Sequence, residues 1–221
     1  PPLLLYRLIL EETQAAPTPA RRFSFPRGKG KIAIVLDDWG YNLRHVAWLA
    51  SVGRPVTVAI LPSLPYSAEV ARQAQTQGHE VILHMPMEAL SPKAPREAAT
   101  LSTEMSSQQV LAQLKLSLES LPQVSGVSNH QGSKATADPQ LMGVVLAEVQ
   151  RRQLYFLDSL VTRQSVCQEL AERLELPFAQ RDIFLDNTLT PEAIRKELTR
   201  LARRAAREGT AIGIGHDRRM T

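Results

Sequence analysis

A single cysteine, Cys167, stands in 221 residues. No disulfide framework can form within the chain, so the fold must rest on its apolar core. Cys167 lies among Val166, Leu170 and Leu174 at helical spacing, which marks a core thiol. No histidine shares its segment to make it a nucleophile. Aromatic residues are scarce, at 5%, and none interleave with the basic ones. Net charge is +4, and much of the excess (Arg151, Arg152, Arg195, Lys196, Arg200, Arg203, Arg204, Arg207) falls on predicted helices. That is the pattern of a solvated helix face. With no nucleic-acid motif present, the expectation is no nucleic-acid partner. Long apolar runs are absent: Pro2 to Leu10 is too short to span a bilayer and reads as a short packing element. Neither a G-x-G-x-x-G after a strand nor a phosphate-cradling G-x-x-x-x-G-K-[ST] occurs, which disfavours a doubly wound nucleotide binder.

What is present has a regular rhythm. Residues 1–30 read as an N-terminal segment and linker, with Thr13 to Lys31 rich in Pro, Ala, Arg and Gly. Residues 31–221 read as one domain. Strands are expected at Lys31 to Leu36, Pro55 to Leu61, His79 to Leu83, Gly126 to Ser128, Leu154 to Leu157 and Ala211 to Gly215, with a weaker one inside Pro177 to Leu185. Helices are expected at Asn42 to Val52, Ser67 to Gln77, Ser106 to Leu121, Asp138 to Arg152, Ser165 to Leu174 and Thr190 to Gly209. Asp138-Pro139 and Thr190-Pro191 supply cap and first-turn proline, and Gly78 and Gly209 supply terminal glycines. Strand–helix alternation of this kind implies a parallel sheet, open or closed into a barrel. In either, chemistry collects at the carboxyl ends of the strands.

Several polar residues stand at those ends: Asp37 and Asp38, His84, Asn129 and His130, Asp158, and His216. Each alone is weak, since an Asp after a strand is often a helix cap and a lone His is often structural. Their coincidence carries weight, because three of the five histidines (His84, His130, His216) fall there. His79 begins a strand at the opposite rim and reads as structural, and His45 falls on a predicted helix. Two adjacent carboxylates repel, more so when buried, and a divalent cation resolves the conflict. An Asp with two His suits Zn²⁺, with other divalent metals possible. Such a metal would activate water, with one carboxylate as base and a group across the basin as acid. Trp39, beside the aspartates, is either a sugar-stacking surface or a wedge under the first turn.

These residues resemble the divergent polysaccharide deacetylase family, a remote branch of the NodB-homology deacetylases. The segments that carry the resemblance are Ile32-Ala33-Ile34-Val35-Leu36-Asp37-Asp38-Trp39-Gly40, Gly78-His79-Glu80-Val81-Ile82-Leu83-His84-Met85-Pro86-Met87, Gly126-Val127-Ser128-Asn129-His130-Gln131-Gly132-Ser133, Phe156-Leu157-Asp158-Ser159, Phe184-Leu185-Asp186-Asn187 and Ala211-Ile212-Gly213-Ile214-Gly215-His216. The resemblance implies a distorted (β/α)₇ barrel, with Asp37 as general base, Asp38 and His84 as metal ligands, His216 as general acid and Asp158 as an orienting carboxylate. It departs where NodB-type enzymes place a second metal histidine, since Glu88 stands there. The third ligand is then Glu88 or, preferably, His130. Trp39, Asn129 and Ser133 are the expected substrate contacts. The motif arginine of NodB-type enzymes is missing, and Leu160 and Val161 replace more polar residues. The implied activity is deacetylation of an N-acetylated polysaccharide or peptidoglycan-derived glycan, in a periplasmic or secreted setting. The departures leave room for an alternative, a glycan-binding or regulatory envelope protein that kept the metal. The family also implies a further helix after the last strand.

Overall fold

The structure, a computed structural model, describes residues 6–7, 30–121 and 123–221. Most of the expected linker lies outside them. The elements run β1 (Tyr6–Arg7), β2 (Lys31–Trp39), α1 (Val46–Leu49), β3 (Thr57–Ile60), α2 (Ser67–Thr76), β4 (Glu80–Met87), α3 (Ser107–Ser120), β5 (Gly126–Gln131), α4 (Pro139–Arg151), β6 (Tyr155–Asp158), α5 (Cys167–Arg173), β7 (Phe178–Gln180), β8 (Ile183–Phe184), α6 (Pro191–Glu208) and β9 (Thr210–His216). Local chemistry sets the helix ends. Ser106 and Gln109 form a reciprocal capping box before α3. Asp138 accepts from Leu141 N–H ahead of Pro139, and Thr190 accepts from Ala193 N–H ahead of Pro191. Gly209, at φ 86, ends α6.

The expected helix from Asn42 to Val52 shrinks to the single turn of α1. Asn42 Oδ1 accepts from Arg44 N–H at 2.9 Å, a local turn that competes with helix initiation. Five strands (β2, β4, β5, β6 and β9) also end further along than expected. The β4–β5 ladder continues to Pro86 opposite His130 and Met87 opposite Gln131, and β2 and β9 stay paired to Asp37 and His216. The chemistry-bearing residues therefore lie in the last rungs of the strands.

The strands hydrogen-bond in the order β7-β6-β5-β4-β3-β2-β9-β8, with every neighbouring pair along this path parallel. β1 pairs antiparallel with the start of β2. The two edges, β7 and β8, are consecutive in the chain and separated by Arg181 and Asp182. One extended segment thus pairs first with β6 and then with β9. Counting it as one strand gives a distorted (β/α)₇ barrel, closed by a strand that changes partner halfway.

The core has layers. Ala33, Val35, Ala59, Ile82, Tyr155, Leu157, Ile212 and Ile214, all strand residues, form the barrel interior. Val58, Ile60, Val81, Leu83, Met85, Val127 and Phe156 face outward against the buried faces of the helices, Cys167 included. Leu201 and Ala205 of α6 pack on Ile183 and Ala211. Strand side chains alternate between faces, so the interior parity can be read upward to the rim. It reaches Asp37 after Val35, His84 after Ile82 and His216 after Ile214.

Candidate functional site

Consecutive residues of a regular strand point to opposite faces, yet both aspartates of β2 reach one site. Asp38 adopts left-handed backbone, φ 68, and the β2–β3 register shifts between Leu36 and Trp39. This bulge brings the Asp38 carboxylate back beside that of Asp37. Strain of this kind persists where the surrounding structure enforces it, commonly at functional sites. His84 Nε2 lies 3.5 Å from Asp37 Oδ2 and 3.4 Å from Asp38 Oδ1. His130 Nδ1 lies 2.9 Å from the same Asp38 Oδ1. The two imidazoles meet edge-on, with centroids 5.1 Å apart. One ligand atom from each of Asp38, His84 and His130 lies within 4.8 Å of the others.

The donor set fits a divalent cation. Asp38 Oδ1 is buried without a well-directed hydrogen bond, as is Asp37 Oδ1, although two imidazole nitrogens point at Asp38 Oδ1. Converging acceptors with an orphaned buried oxygen are what a cation satisfies, and one carboxylate with two imidazoles suits Zn²⁺ among others. His84 is prepared for this. Its Nδ1 lies 2.7 Å from Ser128 Oγ, and the tautomer that donates there leaves the Nε2 lone pair facing the aspartates. Burial pushes His84 down to about 4, so the ring is neutral at pH 7, as a ligand must be. Burial alone would raise Asp38, but His130 and His84 hold it well below the carboxylate range.

Asp37 is buried, at 2% exposure. Burial first, then the charges of Asp38 and Asp186, push it well above the usual carboxylate value, with Arg181 opposing. Across the β2–β9 ladder its register partner is His216. His216 Nδ1–H donates to Asp186 Oδ1 at 2.8 Å, while Asp186 Oδ2 accepts from His216 N–H and from Thr221 Oγ1. Burial works against these bonds, yet they hold Asp186 below its ordinary value. The His216 ring also stacks on Phe184, centroids 5.8 Å apart.

Several expected roles fall differently. The carboxylate that orients His216 is Asp186, not Asp158. Asp158 follows the interior residue Leu157 by one position and so faces the helix layer. There its oxygens accept from Leu160 N–H and Ser165 Oγ. Glu88 is no ligand, because its Oε1 accepts from Arg96 and Lys134 and its Oε2 from Ser102 and Thr103. His130 completes the cluster. Trp39, 3% exposed, packs in the outer core layer as a wedge and offers no face to a sugar. Asn129 is fully buried and ties β5 to β6 through Ser159 N–H and Oγ. Ser133 Oγ accepts from Leu90 N–H. Trp39 and Asn129 are buried and serve internal contacts, whereas Ser133 is half-buried and keeps part of its surface open. His79, at the far rim, accepts from Val56 N–H and reaches Leu49 O through its other nitrogen.

Ser128, Asp186 and Arg181 were missed as site residues. Asp186 carried a signal, since it stands in the Phe184-Leu185-Asp186-Asn187 segment of the family resemblance. Arg181 donates Nε–H to Ser159 O and Nη2–H to Leu160 O, and lies 3.6 Å over the Phe184 ring. It supplies a positive charge near Asp37 from a part of the chain where no motif called for one.

The sequence profile of a divergent polysaccharide deacetylase matches residues 34–221. An uncharacterized protein, YibQ, of Escherichia coli K12 is 36% identical over 193 residues, 87% of this chain and 60% of its own length. The chain therefore spans less than two thirds of that relative's length. An uncharacterized protein of Haemophilus influenzae is 35% identical over 198 residues, 90% of this chain and 70% of its own. The crystal structure of an uncharacterized protein from Agrobacterium tumefaciens C58 superposes with a TM-score of 0.81 at 27% identity, covering 91% of this chain and 82% of that one. The chain belongs to the divergent polysaccharide deacetylase family.

Proposed function

We propose that the chain is a metal-dependent hydrolase that removes acetyl groups from an N-acetylated glycan of the cell envelope, in a periplasmic or secreted setting. The observation that carries this reading is the convergence of Asp38, His84 and His130 on one point, with Asp37 and His216 paired beside it. A divalent cation, Zn²⁺ by its donor set, would polarise the amide carbonyl and acidify a water there. Asp37 takes the proton of the attacking water. Its burial raises its basicity toward the range useful to a general base. His216 delivers a proton from Nε2 to the departing nitrogen, while Asp186 fixes Nδ1. The amide C–N bond breaks, and the products are acetate and a free amine.

The test is elemental analysis of the purified protein together with acetate release from chitooligosaccharides and peptidoglycan fragments. The expected result is one metal per chain and metal-dependent acetate release that disappears in Asp37→Asn with its metal retained. Absence of stoichiometric metal, or acetate release untouched by a chelator, overturns the reading. Stoichiometric metal and glycan binding without acetate would select the binding-protein alternative.

A further inference from the structure

Beside the triad lies a cavity of about 460 Å³, walled by the segment after β4 and by the end of β5. Its volume falls within the range of about 300–1,000 Å³ usual for small-molecule sites. Leu90, Pro92 and Pro95 line it together with Arg96, Gln131 and Lys134. Gln131 joins the cavity to the site, its amide nitrogen standing 3.3 Å from His130 Nε2 and 3.0 Å from Pro95 O. Tyr41, two residues past Trp39, donates its hydroxyl to Glu97 of the same segment. The segment is thus held against the site at two points.

The charge balance of this cavity is uneven. Arg96 Nη2 and Lys134 Nζ both bond Glu88 Oε1, at 2.8 and 3.0 Å. Glu88 Oε2 is occupied by Ser102 and Thr103. Among the described residues, no other carboxylate lines the cavity. Two cations therefore share one saturated carboxylate, leaving one positive charge in excess. Both retain N–H groups free of Glu88, with side-chain exposures of 61% for Arg96 and 39% for Lys134. A forked guanidinium beside an ammonium suits a planar oxyanion, and the Leu90–Pro95 wall offers an apolar surface for the C–H face of a ring.

We propose that this cavity is a subsite for a carboxylate-bearing sugar of the glycan, adjacent to the residue whose acetyl group reaches the triad. The assignment rests on the deacetylase reading above and narrows its substrate to an acidic glycan. Arg96 and Lys134 bind the carboxylate, and Glu88 positions both cations.

The experiment is calorimetric titration of the protein with three matched N-acetylated oligosaccharides. One carries a carboxylate, one has that carboxylate reduced to the alcohol, and one carries a phosphate in its place. Acetate release is measured on the same three. The expected result is about tenfold tighter binding of the carboxylate form than of the neutral form at low ionic strength. The gap should narrow with added salt and vanish in Arg96→Gln/Lys134→Gln. Lys134→Arg, which keeps the charge, should retain it. Arg96→Gln alone changes an exposed side chain and should reduce the gap without lowering the melting temperature. Equal binding of acidic and neutral forms, or a gap undiminished in Arg96→Gln, overturns the proposal. Tighter binding of the phosphate form than of the carboxylate form also overturns it. Charge discrimination without acetate release would sink the deacetylase reading and spare the subsite. Acetate release without discrimination would do the reverse.

Discussion

Two imidazole lone pairs facing one buried carboxylate oxygen make a costly arrangement unless a cation or a proton stands among them. Asp38 is held there by a backbone that most residues avoid, so the geometry is enforced by the fold rather than by local preference. A cation that binds the folded chain and not the unfolded one stabilises it by about 2.7 kcal/mol at a hundredfold excess over Kd. Addition of Zn²⁺ should therefore raise the melting temperature of the native chain and leave that of His84→Ala unmoved, as read by calorimetry. Ser128 acts through His84. Ser128→Ala should retain the fold and weaken metal binding about 10–100-fold, measured by chelator competition. Asp186 acts through His216. Asp186→Asn should keep full metal content while the turnover rate falls by about 10²–10⁴-fold. An equal loss of metal in that variant would mean that Asp186 supports the triad instead.

At the scale of the elements, α4 shows how a buried charge is made tolerable. Glu148 accepts from Arg151 Nε and Nη2 and from Arg152 Nε at 2.7–2.8 Å. The Arg151 bonds first, and then those of Arg152, hold it down at about 2 against an ordinary 4.5. Its folded value lies below its unfolded one, so its stabilisation is complete above the ordinary value and drains as pH falls toward 2. Glu148→Gln should be less stable than the native chain at pH 7, by about 1 kcal/mol or less given the solvent around Arg151. The two unfolding midpoints should converge as the pH is lowered through 4 toward 2. The same helix was legible in the sequence, because Asp138-Pro139 and its apolar spacing declare it. α1 was not, because the Asn42 side-chain turn competes with a helical pattern of equal appearance. The strand cores were legible as short apolar runs between helical patterns. Their carboxyl ends were not, since His84, Pro86 and His130 continue a ladder whose polar residues carry no strand signal. Asp38 and Asp158 show the deeper reason. Which way a strand-end carboxylate points depends on parity, and one bulge reverses it for Asp38 while Asp158 keeps the outward face. Motif order picked out Asp38, His84 and His130, which converge in the structure, but the choice of Asp186 over Asp158 required knowing which face of each strand looks inward.

The whole molecule closes through the partner change between β7 and β8. Arg181 N–H donates to Asp158 O on one side, and Asp182 N–H donates to Ile212 O on the other. Asp182 Oδ2 accepts from Ile212 N–H at 2.7 Å, and its Oδ1 meets Arg204 of α6 at 2.9 Å. Arg181 spans the seam, since its guanidinium grips two carbonyls beyond β6 while lying on the Phe184 ring of β8. The Asp38–His84–His130 cluster sits on strands running from β2 to β5, whereas Asp186 follows β8 and His216 ends β9. The β2–β9 ladder sets His216 opposite Asp37, and the seam carries the chain into β8, after which Asp186 reaches His216. Arg181→Ala removes two hydrogen bonds from a charged donor and leaves the Ser159 and Leu160 carbonyls to find water, a loss of about 1–3 kcal/mol. The unfolding midpoint should fall accordingly. Hydrogen exchange should quicken along Phe178 to Phe184 before it does in β4, where the ladder has neighbours on both sides. Arg181→Lys keeps the charge near Asp37 but loses the fork, so it should restore little of the stability. If exchange in β7 and β8 were unchanged by Arg181→Ala, the closure would lie in the backbone pairing alone, and the arginine's place would be its charge beside Asp37.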